Sequence, residues 1–139
     1  MENDEIRKLP ADWYQHEIRE GVRLDLPGIY EWIVEGSGRY IGKYTHQSRP
    51  FREYERNVLR ILRGHAYRPR KPDGFRRIHR SLAQAVLDGR RITLVILENC
   101  SLDRLHAREA ELIAERGTLN GRDKGCTLIP EGDGRNPPS

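Results

Sequence analysis

Two short strings, Gly28-Ile29-Tyr30 and Tyr40-Ile41-Gly42, constrain this chain more than any other feature. Between them lie Glu31-Trp32-Ile33-Val34-Glu35 and the triplet Gly36-Ser37-Gly38. Two aromatic-bearing runs joined by a Gly-rich turn specify a β-hairpin. Pairing the runs brings the hydroxyls of Tyr30 and Tyr40 near each other at one end of a sheet.

The rest of the chain reads as elements packed on that hairpin. A short helix is expected from about Asp12 to Glu20, with Asp12 as N-cap and with Trp13 and Ile18 leaning on the domain. Ser48 to Gly64 reads as the first central helix. Ser48 is its N-cap, Pro50 is tolerated in its first turn and Gly64 ends it. Phe51, Tyr54, Val58, Ile61 and Leu62 form its apolar face, and Arg49, Arg52, Arg56, Arg60 and Arg63 stripe the other. His65 to Gly74 is a basic loop. A second helix runs from about Phe75 to Leu87, with Ile78, Leu82, Ala85 and Val86 inward. Ile92 to Leu97 is a run of β-branched and apolar residues, hence a buried strand. Ser101 caps a third helix that reaches Arg116 and stops at Gly117, with Leu105, Leu112 and Ile113 on its apolar face. The expected fold is therefore α+β: a small, mostly antiparallel, three-stranded sheet (the hairpin plus one later strand) flanked by three helices. The division expected is a partly helical extension at 1–21, one domain at 22–129 and a disordered tail at 130–139.

Charge is segregated along the chain. Arg49 to Arg80 holds 11 basic residues against three acidic ones, a net of +8, while the whole chain carries +4 and the remainder therefore −4. Of the 25 basic residues, 21 are arginines, whose planar forks suit phosphate. A segregated basic block is the electrostatic footprint of a polyanion partner. No apolar run is long enough for a membrane span, and the acidic N-terminus lacks an apolar signal region. Cys100 and Cys126 are too few and too irregularly placed for a disulfide framework or zinc site. They read as reduced thiols, and the expected location is cytoplasmic.

The hairpin strings, in this order and at this spacing, resemble the signature of the GIY-YIG nuclease superfamily, whose members hydrolyse phosphodiester bonds in DNA. The resemblance extends to the third helix. Such nucleases carry a metal-binding glutamate there, four residues before an isoleucine, and an asparagine about a dozen residues further on. Arg108-Glu109-Ala110-Glu111-Leu112-Ile113 matches that helix, and Asn120 follows Glu109 by 11 residues. The matched region spans about Gly28 to Gly121. By resemblance, Tyr30 is the general base, Tyr40 orients the water or phosphate, Glu109 holds one divalent cation (Mg²⁺ or Mn²⁺) and Asn120 completes the site. One carboxylate suffices for Mg²⁺, which keeps several waters. A tyrosine base requires a pKa below its free value near 10, and adjacent cations would lower it.

The family's arginine is harder to locate. Eight residues after Gly42 stands Pro50, and Tyr44 to Gln47 reads as a short insertion. Counting four residues from the cap Ser48 selects Arg52; Arg49 and Arg56 remain candidates. The second phenol or imidazole that often follows that arginine by four residues is missing, because Arg56 stands there. His65 or His79 are the substitutes available from other elements, but each reads first as a phosphate contact or a packed helix residue. Lys43, Arg49, Arg56, Arg60, Arg76, Arg77, His79 and Arg80 are the expected nucleic-acid contacts. The resemblance thus implies a metal-dependent DNA endonuclease, with a homodimer or a separate targeting protein as routes to specificity. The rival is a non-catalytic nucleic-acid-binding module on the same fold.

Overall fold

The computed structural model describes residues 9–121. The hairpin forms as expected. β2 (Gly28–Val34) and β3 (Gly38–Tyr44) pair antiparallel, with Tyr30 opposite Gly42 and Trp32 opposite Tyr40. The tight reversal between them places Gly36 at φ 80° and Gly38 at φ 141°, conformations that L side chains rarely adopt. On its other edge β2 pairs antiparallel with β4 (Ile92–Asn99), the expected buried strand.

The N-terminal segment corrects the sequence expectation. Gln15–Ile18 is a strand, β1, not part of a helix, and it pairs parallel with β4. The sheet is therefore four-stranded and mixed, in the order β1-β4-β2-β3, rather than three-stranded and mostly antiparallel. The physical reason lies in β4. An apolar strand buried on both faces needs partners for its main chain along both edges, and Gln15–Ile18 supplies the second. Aromatic anchors bring it there. Trp13 stacks on Trp32 with ring centroids 5.7 Å apart, and Tyr14 meets the same indole edge-on at 5.2 Å. Trp13 thus leans on the domain as expected, whereas Ile18 is exposed.

Period-two alternation gives the sheet two apolar faces. Tyr30, Trp32, Val34, Tyr40, Leu94 and Ile96 pack against α1 (Tyr54–Arg63) and α2 (Arg77–Asp88), which contribute Tyr54, Val58, Leu62, Ile78 and Leu82. Ile29, Ile41, Val95 and Leu97 pack against Leu105 and Leu112 of α3 (Leu102–Arg116). Cys100 follows β4 directly and is half-buried; Cys126 and the tail from Pro130 lie outside the described residues. No helix among the described residues is long and apolar enough to cross a membrane.

The start of the first helix differs from its expected form. Ser48 makes no side-chain cap, and Arg49–Glu53 is a π-helical turn in which the Glu53 N–H donates to the Ser48 carbonyl across five residues at 3.2 Å. α1 continues from it and ends, as expected, at Gly64 with φ 75°.

The α3 face holds one buried charge. Glu31 of β2 is 1% exposed, and its Oε2 accepts from Arg39 at 3.3 Å while lying 3.1 Å from Nε of Arg116, in the last turn of α3. The carboxylate ties both ends of this layer together, and its two partners reach solvent. Glu31→Ala is expected to lower stability by about 2–3 kcal/mol in urea unfolding, since a buried ion-pair partner is lost along with packed volume. Arg39→Ala, at an exposed partner, should cost less than about 1 kcal/mol.

Candidate active site

The pairing of Tyr30 with Gly42 builds the site. The Tyr30 ring lies across β3, and a Cβ at position 42 would overlap its Cζ and hydroxyl. A Cβ at Gly28 would likewise overlap the Glu98 carbonyl and the Tyr44 hydroxyl. Gly42 is thus a steric requirement of the Tyr30 ring, and Gly28 one of the neighbouring strand's backbone and the Tyr44 ring together. Laid over Gly42, Tyr30 brings its hydroxyl 2.6 Å from that of Tyr54 on α1, and both residues are 1% exposed.

A cleft of about 550 Å³ opens beside this pair. Tyr30, Tyr40, Arg49 and Arg76 line one wall, and Lys43, Leu105 and Glu109 line the other, with Gly42 between them. Arg76, just before α2, donates to the Tyr40 hydroxyl at 2.9 Å, with its guanidinium 5.8 Å from the ring centroid. Lys43 bridges to α3: its Nζ lies 3.5 Å from Glu109 Oε1 and donates to His106 Nδ1 at 3.1 Å.

Arg49, not Arg52, enters the cleft; Arg52 is exposed and lines none of it. The π-helical turn explains the shift. Counting from Ser48 at α-helical pitch selects Arg52, but a turn closed across five residues presents Arg49 and then Tyr54 toward the site. Tyr54 is the residue of this cluster that sequence reasoning missed. It was assigned to the apolar face, where its ring does pack, while its hydroxyl meets Tyr30. Pro50 in the first turn and a tyrosine five residues after Arg49 are the available signals, and only the widened turn gives them meaning.

The protonation of the tyrosines also departs from expectation. Burial raises the Tyr30 phenol well above its ordinary value, and Tyr40 adds to this. The hydrogen bond from Tyr54 and the charges of Arg49 and Arg76 oppose the rise without cancelling it. Burial likewise raises Tyr54. Desolvation, which disfavours the phenolate, outweighs the nearby cations. Both phenols are neutral at physiological pH.

His79 is a packed helix residue. It is 2% exposed and its pKa is pushed down to about 3, first by burial and then by Arg76, Arg49 and Arg80. Its Nδ1 accepts the Arg76 backbone N–H at 3.1 Å, which closes the start of α2. A neutral imidazole offers phosphate no positive charge. Arg56 and Arg60 lie along a separate trough on α1, while Arg77 and Arg80 are exposed on α2.

Asn120 does not line the cleft. Its Oδ1 accepts the Ile41 N–H at 2.9 Å and its Nδ2 donates to the Ile41 carbonyl at 2.8 Å. Beside it the Leu119 N–H donates to the Arg39 carbonyl at 2.7 Å, and the Arg39 N–H donates to Thr118 Oγ1 at 2.9 Å. The segment after α3 thus covers the free edge of β3 and fixes the helix that carries Glu109.

As a cation site the cleft is sparse. Glu53 and Glu109 are the only carboxylates lining it, and no group of three His, Cys, Asp or Glu side chains occurs among the described residues. Glu53 is paired with Arg49, which leaves Glu109 as one hard oxygen donor; such a donor with waters fits Mg²⁺ or Mn²⁺ better than zinc, which takes nitrogen and sulfur ligands. No protein-family model, curated protein or solved structure matches the chain.

Asn120→Ala should act on stability. Losing both bonds to Ile41 is expected to cost about 1–3 kcal/mol in chemical unfolding, because backbone groups of the strand edge lose their partners. A variant as stable as the parent would show that the edge is held without this amide.

Proposed function

We propose that the chain is a metal-dependent DNA endonuclease of the GIY-YIG type. One observation carries the reading: Tyr30, Tyr40, Arg49, Arg76, Lys43 and the Glu109 carboxylate line a single cleft, with the Tyr30 hydroxyl backed by Tyr54 and Tyr40 held by Arg76. Arg49 and Arg76 would bind the non-bridging oxygens and stabilise charge that develops on phosphorus. Tyr40, held by Arg76, would orient the attacking water. Tyr30 would accept the proton of that water in its minor phenolate form, with the Tyr54 hydroxyl stabilising the charge by donation. Lys43 would turn from Glu109 to the phosphate. Glu109 would hold one Mg²⁺ or Mn²⁺, which supplies polarisation of the phosphoryl oxygen and neutralisation of the leaving oxygen.

A second reading has an observation of its own. The Lys43 ammonium rests against Glu109, where a cation would bind. A nucleic-acid-binding module that has exchanged its metal for a lysine would look the same at this point. The two separate on chemistry.

Glu109→Ala is expected to lower single-turnover cleavage by about 10²-fold or more while leaving DNA affinity and the melting curve nearly unchanged. Glu111, about 200° further around α3, should tolerate alanine. Equal rates for parent and Glu109→Ala would remove the metal assignment.

The raised Tyr30 pKa fixes a pH dependence. Below that pKa the phenolate is the minor form, and its fraction rises tenfold per pH unit. The cleavage rate should therefore climb about tenfold per unit between pH 7 and 9. Tyr30→Phe should be slower by about 10²-fold and lose this slope. A flat profile in the parent, or an unaltered slope in Tyr30→Phe, would assign the base elsewhere.

A further inference from the structure

Between α1 and α2 the chain forms an ordered, basic hairpin. The Lys71 N–H donates to the Arg68 carbonyl at 3.0 Å and the Arg68 N–H returns to Lys71 at 3.3 Å, closing a turn over Pro69-Arg70. The Tyr67 N–H donates to the Pro72 carbonyl at 3.1 Å, and a second turn follows as the Gly74 N–H donates to Lys71 at 3.1 Å. Pro69 sits where its fixed φ favours such a turn. The hairpin is pinned from both helices. Tyr67 packs edge-on against Phe75 at 5.2 Å, and a Cβ at Gly74 would overlap the Tyr67 ring. Arg60 of α1 donates to the Ala66 carbonyl at 3.4 Å, and Arg80 of α2 donates to the Asp73 carbonyl at 3.2 Å. A rigid mount thus presents Arg68, Arg70 and Lys71, all exposed.

A trough of about 480 Å³ leads to this tip, lined by Glu53, Arg56, Asn57, Arg60, Tyr67 and Arg68. Glu53 lines both this trough and the cleft, so the two depressions are neighbours on either side of one residue.

We propose that the trough and hairpin form a second phosphate site, which grips the backbone of duplex DNA beyond the phosphate bound in the cleft. The proposal rests on the reading of the cleft as a DNA site. The tip carries guanidinium and ammonium groups, whose charge and donors suit phosphate oxygens. Ordering the hairpin in the free protein removes an entropic cost from binding.

The test is a salt titration of DNA affinity, using full-length protein in a Glu109→Gln background and a labelled duplex. Arg68→Ala/Arg70→Ala should reduce the magnitude of the log–log salt slope by about 1.8, or 0.9 for each lost contact. Arg68→Lys/Arg70→Lys should keep the slope. Arg19→Ala/Arg91→Ala, which removes the same charge away from the cleft and trough, should shift it by less than about 0.5. Should the alanine pair melt early, Arg68→Gln/Arg70→Gln serves in its place with the same expected slope. Equal slopes for the hairpin and control pairs would overturn the second site and leave the nuclease reading standing. No DNA binding by the parent protein would overturn both.

Discussion

The Tyr30 ring over Gly42 is the contact on which the rest of the site depends. It requires a hairpin register that sets a tyrosine opposite a glycine, and it forbids any other residue at position 42. From there the phenol meets Tyr54, so the start of α1 must deliver that hydroxyl at hydrogen-bond distance. A regular α-helix from Ser48 would place a different residue there. The π-helical turn supplies the needed offset and brings Arg49 in with Tyr54. π-Turns inserted in α-helices often mark functional sites, and here the reason is geometric.

The opposite wall is set by a different kind of constraint. Glu109 reaches the cleft because α3 is tied to the sheet along its length. Leu105 and Leu112 pack it, Glu31 draws in Arg116, and the Thr118–Asn120 segment covers the edge of β3. Buried ion pairs contribute little net stability against apolar replacements. Their geometry is specific, however, and a helix held at its last turn by Arg116 and beyond it by Asn120 has little freedom to slide. The two walls meet at Gly42 and Lys43, adjacent residues whose side positions face opposite sides of the sheet.

Much of this was legible in the sequence, for identifiable reasons. The hairpin announces itself through a glycine turn between runs of period two. The buried strand at Ile92–Asn99 and the helices ending at Gly64 and Gly117 follow from composition and stop signals. β1 was not legible. Its four residues are all exposed and carry no alternation, so its state is decided by the unpaired edge of β4, a tertiary effect that overrides weak helix propensity. Arg52 was favoured over Arg49 because counting assumes a uniform pitch. Asn120 matched a pattern by position, yet its amide is spent on Ile41. The net rise of the Tyr30 pKa was not legible, because cations are visible in a sequence and depth of burial is not.

The central claim is that this cleft cuts DNA with the help of a divalent cation. The most direct measurement is conversion of supercoiled DNA to nicked and linear forms by the purified protein, in Mg²⁺, in Mn²⁺ and with a chelator. The account predicts conversion in at least one of the two metals and none once the chelator is added. A folded protein that binds the DNA and leaves it supercoiled under every condition would contradict it.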